Sequence, residues 1–194
     1  MLDSNPVEFL KGTLRNPAAV GSIIPSSKYL AREYLRNFEL DSESVVLELG
    51  PGTGPVTRLF YEQMPDPSQY LGIEQDADYV RVLKKRFPEM HFVAGSAEDA
   101  VEYLEEAGLE GVDLIASALP YATLPDSVQK GIYEAIDELM TPGTVFRTIQ
   151  LAHAWPMASA RRFRARMNRR YGQLSRSRLV WRNIPPAFVL TWRA

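Results

Sequence analysis

Short apolar runs alternate with amphipathic stretches along most of the chain. Residues 45–49, 70–74, 91–94, 112–117 and 144–151 read as buried strands. Residues 56–64, 78–87, 98–107 and 126–140 carry apolar positions at helical spacing between them. On the second of these, Tyr79, Val82, Leu83 and Phe87 set the period; Gly108 closes the third and Thr141-Pro142-Gly143 the fourth. A further helix is expected over residues 156–171. Residues 178–183 and 188–193 read as two strands joined by Ile184-Pro185-Pro186, a link short enough for an antiparallel hairpin. Ahead of this series, residues 5–14 form a short helical pattern broken by Asn16-Pro17 and Pro25. Ser26 or Ser27 then caps a second helix with Leu30, Ala31, Tyr34, Leu35 and Phe38 on one face. Alternating strands and helices predict an α/β fold, a mostly parallel sheet with helices on both faces.

Composition narrows this little: 194 residues, 45% hydrophobic and 24% charged, describe one globular domain with a sizeable core. No apolar run approaches the roughly 18–20 residues of a membrane span. The opening Met1-Leu2-Asp3 lacks a basic stretch followed by an apolar one, so no secretory signal is expected. With no cysteine, disulfides, thiolate metal sites and a cysteine nucleophile are excluded. Charge changes the picture more. Residues 1–138 hold 11 Lys and Arg with all 24 Asp and Glu, whereas residues 139–194 hold 11 Arg and no acid. Such segregation points to a polyanionic partner at the basic end, anionic lipid or nucleic acid. The bland alternative is pairing with the acidic half of the same fold.

The strongest motif is Glu48-Leu49-Gly50-Pro51-Gly52-Thr53-Gly54, directly after the first strand of the series and before a helix. Glycines let a backbone turn tightly and approach a ligand. The spacing is neither the G-x-G-x-x-G fingerprint nor a Walker loop. Glu74, at the end of the next strand, is placed to accept hydrogen bonds from both hydroxyls of a ribose.

Glu48–Gly54 with Glu74 resembles the binding signature of class I methyltransferases that use S-adenosyl-L-methionine. The resemblance implies a Rossmann-like seven-stranded sheet, mostly parallel, ending in an antiparallel hairpin, over residues 44–194. It implies that Glu48, Gly50, Gly52, Gly54, Glu74, Gln75, Ser96, Ala97 and Ser117 bind the cofactor. Many members have an aspartate where this chain has Ser96, so the adenine contact falls to Ser96, the Ala97 backbone or Glu98. S-adenosyl-L-homocysteine would be the product, and no metal is expected.

Ser117-Ala118-Leu119-Pro120-Tyr121, at the end of the fourth strand, is similar to the N/D-P-P-Y loop of amino-group methyltransferases. The missing Asn/Asp argues against a nucleobase amine. Phe9-Leu10-Lys11-Gly12, Leu14-Arg15-Asn16-Pro17, Val20-Gly21, Pro25-Ser26-Ser27, Leu119-Pro120 and Trp181–Ala187 resemble segments of bacterial phospholipid N-methyltransferases. That resemblance implies methylation of the head-group amine of phosphatidylethanolamine toward phosphatidylcholine, by a cytoplasmic protein peripheral on the inner membrane face. Residues 1–43 would form an N-terminal helical segment that contacts membrane and lids the site. Ser26, Ser27, Leu119, Arg162, Arg166, Arg169 and Arg170 are the expected lipid-binding residues, the arginines suiting phosphate. Tyr34, Tyr121 and His153 are the candidates to line the methyl site or take a proton, since a methylated amine must be neutral. Partners are thus an anionic lipid surface and an amino-phospholipid, with no nucleic acid. The alternatives are another amino lipid such as ornithine lipid, a small amine, an RNA adenine dimethyltransferase, or a lipid-surface module without turnover.

Overall fold

The computed structural model describes residues 26–121 and 123–194. The helix expected over residues 5–14 and the motifs between Phe9 and Pro25 lie outside the described residues. One sheet contains β1 (Val46–Leu49), β2 (Tyr70–Glu74), β3 (His91–Ala94), β4 (Leu114–Ser117), β5 (Val145–Leu151), β6 (Ser175–Arg176) and β7 (Ala187–Arg193). Their order is β3-β2-β1-β4-β5-β7-β6. β1 to β5 pair in parallel, and β7 runs antiparallel to both β5 and β6. The helices are α1 (Lys28–Glu33), α2 (Pro55–Gln63), α3 (Ala77–Arg86), α4 (Ala100–Glu106), α5 (Asp126–Leu139) and α6 (Ala158–Tyr171).

Strand periodicity splits the core in two. Val46, Tyr70, Leu114 and Val145 face α1–α3 and pack with Leu30, Tyr34, Phe60 and Leu83. Leu47, Leu71, Ile115 and Phe146 face α4–α6 and pack with Leu104, Ile132, Ile136, Phe163 and Met167. Because helices cover both faces, the central strands are buried throughout and read as continuous apolar runs. Local signals fix the helix ends. The Asp76 carboxylate caps α3 by accepting from the Asp78 N–H, and Lys84, Lys85 and Arg86 complement the negative end of that helix.

Two expectations are corrected. Residues 178–183 are not a strand: β6 is only Ser175–Arg176, and Val180 makes an isolated bridge to Ala187. Pro185 and Pro186 have no N–H to give a ladder, and the Asn183 side chain bonds to loop groups instead, so residues 177–186 form a loop with a cis Ile184-Pro185 bond. The second helix also ends early, at Glu33, where its last carbonyls turn to a side chain from β5 (below). The carboxyl ends of β1, β2, β4 and β5 meet beneath this loop, at the point where strand order reverses, and an open α/β sheet holds its ligands there.

Candidate functional site

A cavity of about 300 Å³ opens along these strand ends, from the β1–α2 turn to the walls of α5 and α6. The turn is shaped by backbone. The Gly50 N–H donates to the Ile73 carbonyl at 2.9 Å, and the Gly54 N–H to the Pro51 carbonyl at 2.9 Å. Gly50 has φ +76, and a Cβ there would stand 2.9 Å from Leu119 Cδ2, so the loop after β4 packs directly on the turn. Gly52 has φ +57 and lines the cavity with nothing within 4 Å of the place a Cβ would take.

Glu74 lies opposite, buried at the end of β2. Its Oε2 accepts from the Gly52 N–H at 2.9 Å and its Oε1 from the Asp76 N–H at 3.0 Å. Each oxygen keeps a further lone pair for a ligand hydroxyl. Burial raises the Glu74 pKa against the lowering effect of these backbone bonds. Beside it, Gln75 lines the cavity, and its buried Oε1 has no hydrogen-bond partner among the described residues. Ser96 and Ala97 follow at the end of β3, where the Ser96 Oγ bonds the Glu98 carboxylate at 3.0 Å.

The acceptor side is apolar: Leu119, Leu124, Val128, Ile132, Ile149 and Phe163 are among its walls. It is held by ties between distant parts of the chain. The Tyr34 hydroxyl donates to the Ser117 carbonyl at 2.7 Å. The Ser117 and Tyr121 hydroxyls share a hydrogen bond at 3.0 Å, and the Leu119 N–H donates to Ser117 Oγ at 3.3 Å. Arg147, on β5, donates to the carbonyls of Glu33, Tyr34 and Arg36 at 3.2, 2.5 and 2.8 Å. Asn183 Oδ1 accepts from the Ser27 N–H at 2.8 Å, and its amide donates to the Pro185 carbonyl at 2.7 Å. Together these pin α1 to the sheet and fasten its start to the 177–186 loop over the cavity.

Of the residues expected from sequence, Gly50, Gly52, Glu74, Gln75, Ser96, Ala97, Ser26, Leu119, Tyr121 and His153 line this one cavity. The others do not, and the reasons are physical. Glu48 points to the α2 face of the sheet, where its Oε2 accepts from the Tyr70 hydroxyl at 2.6 Å and the Thr57 hydroxyl at 2.8 Å. Burial there raises its pKa to about 7. Gly54 serves as the N-terminal cap residue of α2. Ser117 is fully buried as the knot of the β4 loop, and Tyr34 is buried behind it rather than in the cavity. Ser27 caps α1, its side chain accepting from the Leu30 N–H. One face of the Tyr121 ring stacks on Phe163 at 4.4 Å, so that face is not open to a cation.

The arginine expectation needs the largest correction. Arg166 forms a two-toothed ion pair with Asp137, at 2.9 and 3.3 Å, and lies over the Tyr133 ring. Arg170 also pairs with Asp137, at 3.8 Å. These two are fold ties to α5. Arg162 and Arg169 stay exposed, away from the cavity lining. Arg147, Gln150 and Asn183 were not assigned roles in sequence. A lone arginine inside the apolar strand 144–151 was the available signal for the first, because a charge is buried there only if it has partners.

This sheet order, a glycine turn after β1 and a buried acid closing β2 define a class I S-adenosylmethionine-dependent methyltransferase. Solved structures share the fold. A TehB-like methyltransferase from Corynebacterium glutamicum superposes with TM-score 0.59 at 18% identity, covering 97% of this chain and 99% of that one. The N-methyltransferase NodS from Bradyrhizobium japonicum gives TM-score 0.60 at 15% identity, over 99% and 98%. No family model matches the chain. An ornithine lipid N-methyltransferase from Singulisphaera acidiphila is 30% identical over 144 residues, 73% of this chain and 75% of that one. The chain belongs to the family of that bacterial lipid N-methyltransferase.

S-adenosylmethionine is accordingly the cofactor. The residues present fit it. Open space over Gly52, the spare lone pairs of Glu74 and the unpartnered Gln75 Oε1 are what a nucleoside with a bulky amino-acid arm requires. Glu74 would hold the ribose, Gln75, Ser96 and Ala97 the base, and the Gly50–Gly52 backbone the amino-acid arm. Bound there, the cofactor supplies a sulfonium methyl that passes to a nucleophile's lone pair and leaves behind a neutral thioether.

Proposed function

We propose that the protein methylates the head-group amine of an amino lipid at a membrane surface. The observation that carries this reading is the rim of the cavity. Large apolar side chains left exposed among the described residues are Val82, Met157, Trp181 and Ile184. Two of these four, Met157 (41% exposed) and Ile184 (71%), line the cavity, and Trp181 (74%) stands three residues before Ile184 in the same loop. Exposed apolar groups gathered at one opening suit an interface with acyl chains, and tryptophan is favoured at head-group depth. No helix of the described residues is long and apolar enough to cross a membrane, so contact would be peripheral.

Residues of the chain also favour an amine. The titratable side chains lining the cavity are Glu74, Tyr121 and His153. Glu74 is engaged by backbone N–H groups on the cofactor side, and burial pushes Tyr121 far above neutrality. An ammonium entering the apolar acceptor side finds no counter-charge, so desolvation favours its neutral form. His153, exposed and lining the cavity, would take the released proton. The Ser117 knot holds the β4 loop rigid so that the amine can be aligned.

The kinship with an ornithine lipid N-methyltransferase makes ornithine lipid the first substrate to test, and phosphatidylethanolamine the second. Labelled methyl transfer into vesicles of phosphatidylglycerol with either lipid, resolved by thin-layer chromatography, tests the reading. Label in methylated lipid is the expected result. Label only in a soluble amine or in RNA, with the cofactor bound, overturns it.

A further inference from the structure

The basic C-terminal third has an end that α5 does not neutralise. From the middle of α6 the Arg164 guanidinium reaches back to lie 3.9 Å from the centre of the Trp155 ring, and that of Arg176 lies 4.7 Å from the same ring. Arg176 also covers Phe188, at 4.6 Å. Arg164 is half-buried; it donates to Gln150 Oε1 at 2.6 Å and to the Trp155 carbonyl at 2.9 Å, both uncharged acceptors. Arg161 stands one turn before it, and burial together with the nearby Arg161 and Arg176 charges depresses the Arg164 pKa. No acid occurs between residues 139 and 194, and none of these three arginines makes an ion pair among the described residues. Arg164 and Arg176 are thus held together by aromatic stacking, with the exposed Arg161 one turn away, and none of the three has a carboxylate partner among the described residues.

Their place gives the cluster its meaning. Gln150, the partner of Arg164, lines the cavity, as do Ala154, Met157 and Ala160 on either side of Trp155 and Arg161. The cluster therefore borders the same mouth that carries Met157. We infer that Arg161, Arg164 and Arg176 form a subsite for the anionic group of a zwitterionic lipid head group, phosphodiester or carboxylate, while its amine enters the cavity. The inference rests on the amino-lipid reading and adds to it a substrate class: lipids whose amine and anion are separated by a short chain. Guanidiniums grip either anion with paired N–H donors, which a lysine cannot do. Arg162, Arg169 and Arg170 take no part in it.

The test pairs kinetics with binding. Methyl transfer is measured for wild type and for R161Q/R176Q, with ornithine lipid or phosphatidylethanolamine diluted in neutral phosphatidylcholine vesicles. Both side chains are exposed, and a thermal melt checks that the double variant folds. The expected result is a KM about tenfold higher with kcat held within about twofold, and an intermediate KM for R161K/R176K. Separately, glycerophosphoethanolamine is titrated against tryptophan fluorescence, since Trp155 sits within the cluster. It should bind wild type about tenfold more tightly than R161Q/R176Q. Equal KM and equal binding in the two proteins overturn the subsite. Inorganic phosphate bound as tightly as glycerophosphoethanolamine overturns its assignment to a head group. Failure of wild type to methylate either lipid overturns the amino-lipid reading, while arginine-dependent binding of glycerophosphoethanolamine would still uphold the subsite.

Discussion

The two sides of the cavity are built in different ways. On the cofactor side, groups close in sequence do the work: a glycine turn of five residues and one carboxylate that accepts from the Gly52 and Asp76 N–H groups. On the acceptor side, the β4 loop is shaped by Tyr34, α1 by Arg147, and the covering loop by the contact of Asn183 with Ser27. These ties join residues more than eighty positions apart. The cofactor side is thus a local property of the βαβ unit, whereas the acceptor side exists only once the whole chain has closed. Reaction class should therefore be robust to changes in the N-terminal segment, and acceptor handling sensitive to them.

The largest expected effect is on the local side. Glu74→Ala removes the acceptor for two ribose hydroxyls and frees the Gly52 N–H. A loss of about 100-fold in affinity for S-adenosylhomocysteine is expected by calorimetry, from about 3 kcal/mol of charge-assisted bonding. Next comes the long-range side. Arg147 stays charged although burial, with help from Arg193, lowers its pKa to about 10. Arg147→Met leaves the Glu33, Tyr34 and Arg36 carbonyls without their donor at the negative end of α1. Urea unfolding should show a loss of about 3 kcal/mol. Retained stability would mean that α1 is not fastened in this way, and the contrast between the two sides would collapse.

The same contrast explains what the sequence disclosed. Strand and helix alternation is written in local periodicity, so β1 to β5 and the helices between them were legible to within a few residues. So was the glycine turn with Glu74. Loop 177–186 was misread because Arg178–Asn183 has an apolar, β-prone pattern, while its fate depends on two prolines and on the Asn183 contact with Ser27. Arginine roles failed for a related reason. A helical wheel separates Arg166 from Phe163, but it does not reveal that Asp137, on another helix, meets Arg166 and Arg170. Nor does it reveal that Trp155 gathers Arg164 with Arg176. Partners distant in sequence decide whether a charge is used inside the fold or left for a ligand.

Glu48 tests where the cofactor side ends. It opens the glycine motif in sequence, yet its side chain belongs to the core behind the turn. Burial raises its pKa from 4.5 to about 7. Between those values the folded protein holds a proton that the unfolded chain has lost. The contribution of Glu48 to stability is therefore greatest below pH 4.5, declines as pH rises toward 7, and is level above. Glu48→Gln keeps the hydroxyl partners and removes the proton. Denaturant melts should find the variant more stable than wild type at pH 8, by on the order of 2 kcal/mol, with the gap closing at pH 5. Cofactor affinity should stay within about threefold. A large loss of affinity would place Glu48 in the binding site instead.

The smallest effect is the most discriminating, because it separates the two sides with one oxygen atom. Tyr34→Phe keeps the ring in its buried place between α1 and the sheet and removes only the hydroxyl that donates to the Ser117 carbonyl. Ser117 in turn fixes Leu119 and Tyr121, so the loss should loosen the loop that aligns the amine and leave the β1–α2 turn as it was. About 1 kcal/mol is at stake, roughly fivefold in rate. The expected outcome is a kcat/KM for lipid about fivefold lower, with affinity for S-adenosylhomocysteine unchanged. Leu119 also lies where a Cβ on Gly50 would meet it, so the loop packs on the turn there. If cofactor affinity falls together with lipid turnover, that contact transmits the disturbance, and the two sides form a single mechanical unit.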